Sequence, residues 1–113
     1  MIKDMEGRSV IRKASIMFVN KDTYDEYKRR HDEIWPEMAA ELKAHGAHNY
    51  SIFLDKETGR LFAYVEVEDE EKWNQMSKTD VCKKWWVYME PLMETNPDHS
   101  PVSINLEGVF YLE

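Results

Sequence analysis

The chain has 113 residues, 42% of them hydrophobic and 33% charged, with a formal net charge of −7; that suits one soluble globular domain and leaves no room for two. The charge excludes the basic face that a nucleic acid or an anionic membrane surface demands, and a neutral ligand fits it better than an acidic one. Cys82 is the only cysteine, so no internal disulfide can form, "MIKDMEGRS" lacks a secretory apolar run, and no stretch approaches a membrane helix; the default is a cytoplasmic protein.

Residues 1–9 are of mixed charge without periodicity and read as a flexible leader or a start-site extension, ahead of one domain over 10–113. "VIRKASIMFV", residues 10–19, is β-branched and apolar and predicts a strand. Asn20 or Asp22 is placed to cap the helix that follows, with Asp25 and Glu26 in its first turn. Pro36 cannot sit inside that helix without removing a backbone donor, and it biases Trp35 away from helical angles. The helix therefore either kinks there or stops near residue 32 and restarts with Pro36 in a new first turn. The second segment, "PEMAAELKAHG", ends at Gly46, a helix-terminating residue.

"AHNYSIFL" (47–54) and "LFAYVEV" (61–67) predict two strands joined by a hairpin loop, "DKETGR". Asp69 then caps a short helix, "EEKWNQM", and Thr79 or Asp80 opens another, "VCKKWWVYM", closed by Pro91. Residues 94–103 are a loop rich in Pro, Asn and Ser, and "LEGVFYL" (106–112) predicts a last strand. The order β-α-β-β-α-β is the ferredoxin-like α+β arrangement, an antiparallel sheet with helices on one face. The other face needs a cover, and in so short a chain a second copy is the natural one.

The chemistry concentrates in "DEYKRRHDEIWPEM" (25–38), which sets Tyr27 and His31 four residues apart on one helix face. A histidine both accepts and donates a proton near neutral pH, and a neighbouring tyrosine can orient it or hold a substrate hydroxyl. Spacing alone favours the plainer outcome, a packed amphipathic face. If the helix breaks before Pro36, His31 lies near its C-terminus, where the dipole favours the protonated ring. His45 and His48 do not complete a zinc set with His31: their spacing is wrong, and no metal is expected. On the strand, simple alternation puts Tyr50 with His48 and Ile52. Trp85 and Trp86 are adjacent on a helix and cannot share a direction. Core spacing suits both, while an indole face is also a good platform for sugar C–H groups. Asp69, Glu70 and Glu71 read as a helix start, Glu66 and Glu68 as solvated, and there is no phosphate loop or nucleophile elbow.

Four strings go further. "YKRRHDEIWPEM", "HGAHNYSIFLD", "SKTDVCKKWW" and "NPDHSPVS" followed by "FYL" together resemble the L-rhamnose mutarotase family, in order and spacing, over residues 10–113. The resemblance implies a cytoplasmic homodimer of ferredoxin-like subunits, a dimeric α/β barrel, that needs no cofactor. It implies His31 as the catalytic histidine and Tyr27, Tyr50, Trp85 and Trp86 as contacts to a monosaccharide, L-rhamnose. His99 stands where a variable, often amide, side chain is expected. The implied reaction interconverts the α and β anomers through the open-chain aldehyde. Two rivals use the same fold: a cofactor-free monooxygenase or haem-handling protein, and a non-catalytic dimeric binding module whose aromatic residues are interface.

Overall fold

The computed structural model describes residues 2–3, 7 and 9–113. The expected flexibility of the leader falls mainly on residues 1, 4–6 and 8, which lie outside the described residues. The first described pairing joins a two-residue strand, β1 (Ile2–Lys3), to the start of β2 (Ser9–Phe18), with Ile2 opposite Val10. Helices α1 (Tyr24–Asp32) and α2 (Pro36–Ala44) follow, then strands β3 (Ala47–Asp55) and β4 (Arg60–Val67). A short helix α3 (Glu70–Asn74), helix α4 (Asp80–Met89) and strand β5 (Ile104–Leu106) complete the order. The main strands are antiparallel in the spatial order β5-β2-β4-β3, which is the ferredoxin-like arrangement.

Proline and glycine set the joints. The chain breaks rather than kinks at Pro36: α1 stops at Asp32, Trp35 is extended (φ −57°, ψ 132°), and Pro36 takes the first position of α2, where its missing N–H costs nothing. Gly46 ends α2 at φ +86°, and Gly59 closes the β3–β4 hairpin so tightly that a Cβ there would lie 2.7 Å from the Val19 carbonyl oxygen. Asp69 caps α3 by accepting from the Lys72 N–H at 2.8 Å, and Thr79 caps α4 by accepting from the Cys82 N–H.

Two expectations are corrected. Neither Asn20 nor Asp22 caps α1. A single 3-10 turn, Lys21–Thr23, intervenes, and the Thr23 hydroxyl donates to the Asn20 carbonyl at 2.6 Å. The last strand is Ile104–Leu106, not 106–112. An apolar run becomes a strand only where it meets a ladder, and pairing with β2 ends at the Ala14–Leu106 pair. Beyond it Val109 and Phe110 are 90% and 76% exposed, while the Arg12 guanidinium sits 4.4 Å over the Tyr111 ring.

Directly paired residues of an antiparallel ladder share a face. The registers place Lys13, Ser15, Met17, Ile52, Leu54, Leu61, Ala63, Val65 and Val67 beneath the helices. They place Phe53, Phe62, Tyr64, Ile104 and Leu106 on the opposite, open face.

Candidate active site

The space between sheet and helices is only partly filled. A cavity of about 850 Å³ remains, walled by Tyr27 and His31 of α1, Tyr50 of β3, Trp73 of α3, and Cys82, Trp85 and Trp86 of α4. All five residues singled out from the sequence therefore meet in one hollow. Trp73 was not anticipated; a lone aromatic in a five-residue helix carries no periodic signal.

α1 presents Tyr27 and His31 one turn apart, with ring centroids 4.4 Å apart and planes 27° from parallel. Its other faces are tied in ion pairs: Lys28 to Asp32, Arg29 to Glu26 and Glu33, and Arg30 to Glu26. Arg29 and Arg30 hold the Glu26 carboxyl down at about 2. The polar stripe faces out, so the helix has one way to sit, with tyrosine and histidine inward.

His31 Nδ1 lies 3.1 Å from the Tyr27 carbonyl oxygen. A carbonyl only accepts, so Nδ1 carries the hydrogen, and in the neutral ring Nε2 holds the lone pair. The edge of Trp85 closes on the imidazole at 5.4 Å and 88°. Trp85 is itself 6% exposed and meets Trp35 at 5.0 Å, so the residue before the proline buttresses the wall. Burial pushes the His31 pKa below its ordinary value, outweighing the carbonyl bond and nearby Asp32. The protonated ring expected at a helix C-terminus is therefore not favoured, and burial sets the direction. At neutral pH His31 is a base with Nε2 available.

Tyr27 is 8% exposed, and burial raises its phenol above the ordinary value, with Tyr50 nearby adding to the rise. Tyr50 is partly exposed as a residue, yet burial raises its phenol as well. Tyr50 lines the cavity, close enough to Cys82 for the two groups to interact. Both are neutral hydroxyls, able to donate and accept. The Cys82 thiol is pushed up to about 11 by burial, which makes it an inert wall. Trp73 stands edge-on to Tyr50 at 6.4 Å.

Tyr50 does not share a face with His48. The β3–β4 register slips between His48 and Ser51, and Asn49 takes φ +49°. His48 is on the open face beside Glu68, with which it makes a short contact, while Tyr50 joins Ile52 under the helices. Simple alternation failed because a bulge inverts faces.

His99 also borders the cavity, at φ +73°, with its Nδ1 2.7 Å from a Glu90 carboxylate oxygen; that contact lowers the Glu90 pKa. Among the described residues no group of three or more His, Cys, Asp or Glu side chains is gathered to hold a metal, and no helix is long and apolar enough to cross a membrane.

Residues 12–112 match the family model for L-rhamnose mutarotase. An L-rhamnose mutarotase of Bacillus subtilis is 71% identical over 102 residues, covering 90% of this chain and 98% of that protein. A crystal structure of L-rhamnose mutarotase from Formosa agariphila superposes with a TM-score of 0.84 at 46% identity, covering 91% of this chain and 99% of the other. A dimeric ferredoxin-like protein from an uncultured marine organism, 16% identical with a TM-score of 0.59 over 90% of this chain and 94% of its own, shares the fold alone. The monooxygenase or haem-handling alternative is not favoured. Matched along almost its whole sheet and helical layer, the chain belongs to the L-rhamnose mutarotase family.

Proposed function

We propose that the protein is an isomerase that interconverts the α and β anomers of L-rhamnose, with His31 as the proton-transferring group. The observation that carries this is the His31 environment: a neutral imidazole with Nδ1–H tied to a backbone carbonyl and Nε2 left for a neutral ligand. Ring opening removes the proton from the anomeric hydroxyl and places one on the ring oxygen as the C1–O5 bond breaks. These two oxygens share one carbon, so a base that accepts from O1 lies within reach of O5. His31 Nε2 takes the first proton and returns it to the second. The aldehyde turns over about the C1–C2 bond, and the reverse transfer closes the ring on its other face.

Tyr27 and Tyr50, kept neutral by burial, hold sugar hydroxyls. Trp85 and Trp86 offer indole surface to the C–H groups and the methyl of a 6-deoxy sugar. The reaction changes no net charge, since the proton His31 accepts is returned before the ring recloses. We also propose that a second copy covers the open face of the sheet, where Phe53 (69% exposed), Phe62, Ile104 and Leu106 form an apolar surface. Family membership and the one buried thiol at Cys82 support a cytoplasmic setting.

Saturation transfer between the anomeric protons of L-rhamnose tests the function. Fast exchange is expected with the protein and near-background exchange with His31→Ala. A folded His31→Ala that exchanges as fast as the parent overturns the catalytic role. Rapid exchange of L-fucose but not L-rhamnose overturns the substrate.

A further inference from the structure

Tyr50 enters the cavity only because the strand that carries it is irregular. Ala47 stands opposite Val67 and His48 opposite Glu66, but the next pair is Ser51 with Tyr64. Two residues of β3, Asn49 and Tyr50, therefore face one of β4, Val65. Without the extra residue, period-two alternation from His48 would put Tyr50 on the open face, away from Trp73 and α4.

Asn49 holds the irregularity in two ways. Its φ of +49° lies in the left-handed region, which Asn tolerates and β-branched residues do not. Its side-chain Nδ2 donates to Glu66 Oε1 at 3.0 Å, while Glu66 Oε2 accepts from the Tyr64 hydroxyl at 2.8 Å. One carboxylate on the neighbouring strand thus clamps the bulge from outside the cavity.

We propose that Asn49 is a positioning residue for the sugar site: its left-handed bulge, clamped by Glu66, turns Tyr50 from the open sheet face into the cavity. The inference rests on the proposal that Tyr50 holds a substrate hydroxyl. Asn49 itself touches no reacting atom. Its effect passes through Tyr50, so it appears in substrate binding more than in proton transfer.

The test compares Asn49→Val, Asn49→Gly, Tyr50→Ala and the double variant Asn49→Val/Tyr50→Ala by rhamnose anomer exchange over a concentration series. Losing one well-placed hydrogen bond predicts a KM raised about tenfold in Asn49→Val, with kcat changed much less. Asn49→Gly, free to adopt positive φ, should recover most of that loss. In the Tyr50→Ala background Asn49→Val should add nothing, because the side chain it aims is gone. A second readout is independent of activity: the proton contacts between the Tyr50 and Trp73 rings, by NMR, should vanish in Asn49→Val and persist in Asn49→Gly. Should Asn49→Val be too unstable to assay, Asn49→Ala replaces it with the same expectations. Undiminished Tyr50–Trp73 contacts in the valine or alanine variant overturn the inference, as does a KM effect that survives in the double variant. A parent protein inactive on rhamnose defeats the functional proposal alone, since the ring contacts still decide whether Asn49 aims Tyr50.

Discussion

The layer between sheet and helices is built differently at its two ends. At one, Ala47, Val65 and Val67 are buried together with Ile11 and Leu42 against them. These side chains are short, and Val67 is fully buried among them. At the other, Tyr27, Met38, Cys82, Trp85 and Met89 are equally buried yet surround open space. Large rings hold the elements apart, and flexible methionines line what the rings do not fill. Leu42 and Trp73 pack against both groups and mark the boundary. The chain thus gathers small aliphatic side chains at one end and frames the larger hollow at the other with aromatic residues. Binding and stability are separated in space, within one layer.

That separation can be broken by mutation. The largest effect belongs to the hollow end: His31→Ala should slow anomer exchange by about 10²–10⁴-fold, the usual worth of a general acid or base. Its melting temperature should hardly move, since removing a buried ring that costs desolvation offsets some lost packing. Val67→Ala, at a fully buried site of the packed end, should do the reverse. Loss of two methyl groups costs about 1.5–3 kcal/mol, visible as a lower denaturant midpoint, with exchange per folded molecule preserved. If both variants lose rate and stability together, the two ends are not independent.

Tyr27→Phe sharpens the contrast within the hollow. It removes one hydroxyl and leaves the stack on His31, so KM should rise up to about tenfold while the fold holds. The smallest effect is on stability against pH. Burial lowers the His31 pKa in the folded state, so the unfolded chain binds the proton more tightly. Stability from this group is therefore complete above the unfolded value of roughly 6.5 and declines as pH falls toward the folded pKa. Relative to His31→Ala, which lacks this dependence, the parent's denaturation midpoint should fall as the pH drops from neutral to acid. Activity should fall over the same acid range, because the protonated ring has no lone pair.

Much of the fold was legible because punctuation residues are local. Pro36 and Gly46 act through their own backbones, Asp69 and Thr79 through side chains that reach an N–H three residues on, and all four end or start elements where chain order says they should. The Tyr27–His31 pair was legible for a similar reason, since helical spacing alone puts the two on one face. What escaped was set by distant parts of the chain. The bulge at Asn49 exists relative to β4, so neither it nor the inversion between His48 and Tyr50 is written in β3 alone. The last strand begins early because β2 offers it a ladder at Ile104–Leu106. Burial lowers the His31 pKa, and part of what covers the ring is the edge of Trp85, more than fifty residues away. Trp73 announces itself only once α3 is laid beside β3.

The bond from His31 Nδ1 to the Tyr27 carbonyl has a further consequence for the proposed chemistry. With that nitrogen committed to the helix, the imidazole has a single door. A proton that enters at Nε2 must leave by Nε2, and cannot be passed through the ring to the protein or the solvent behind it. Such a histidine is unsuited to a relay and well suited to a reaction that begins and ends with the same proton count, as the exchange of two anomers does.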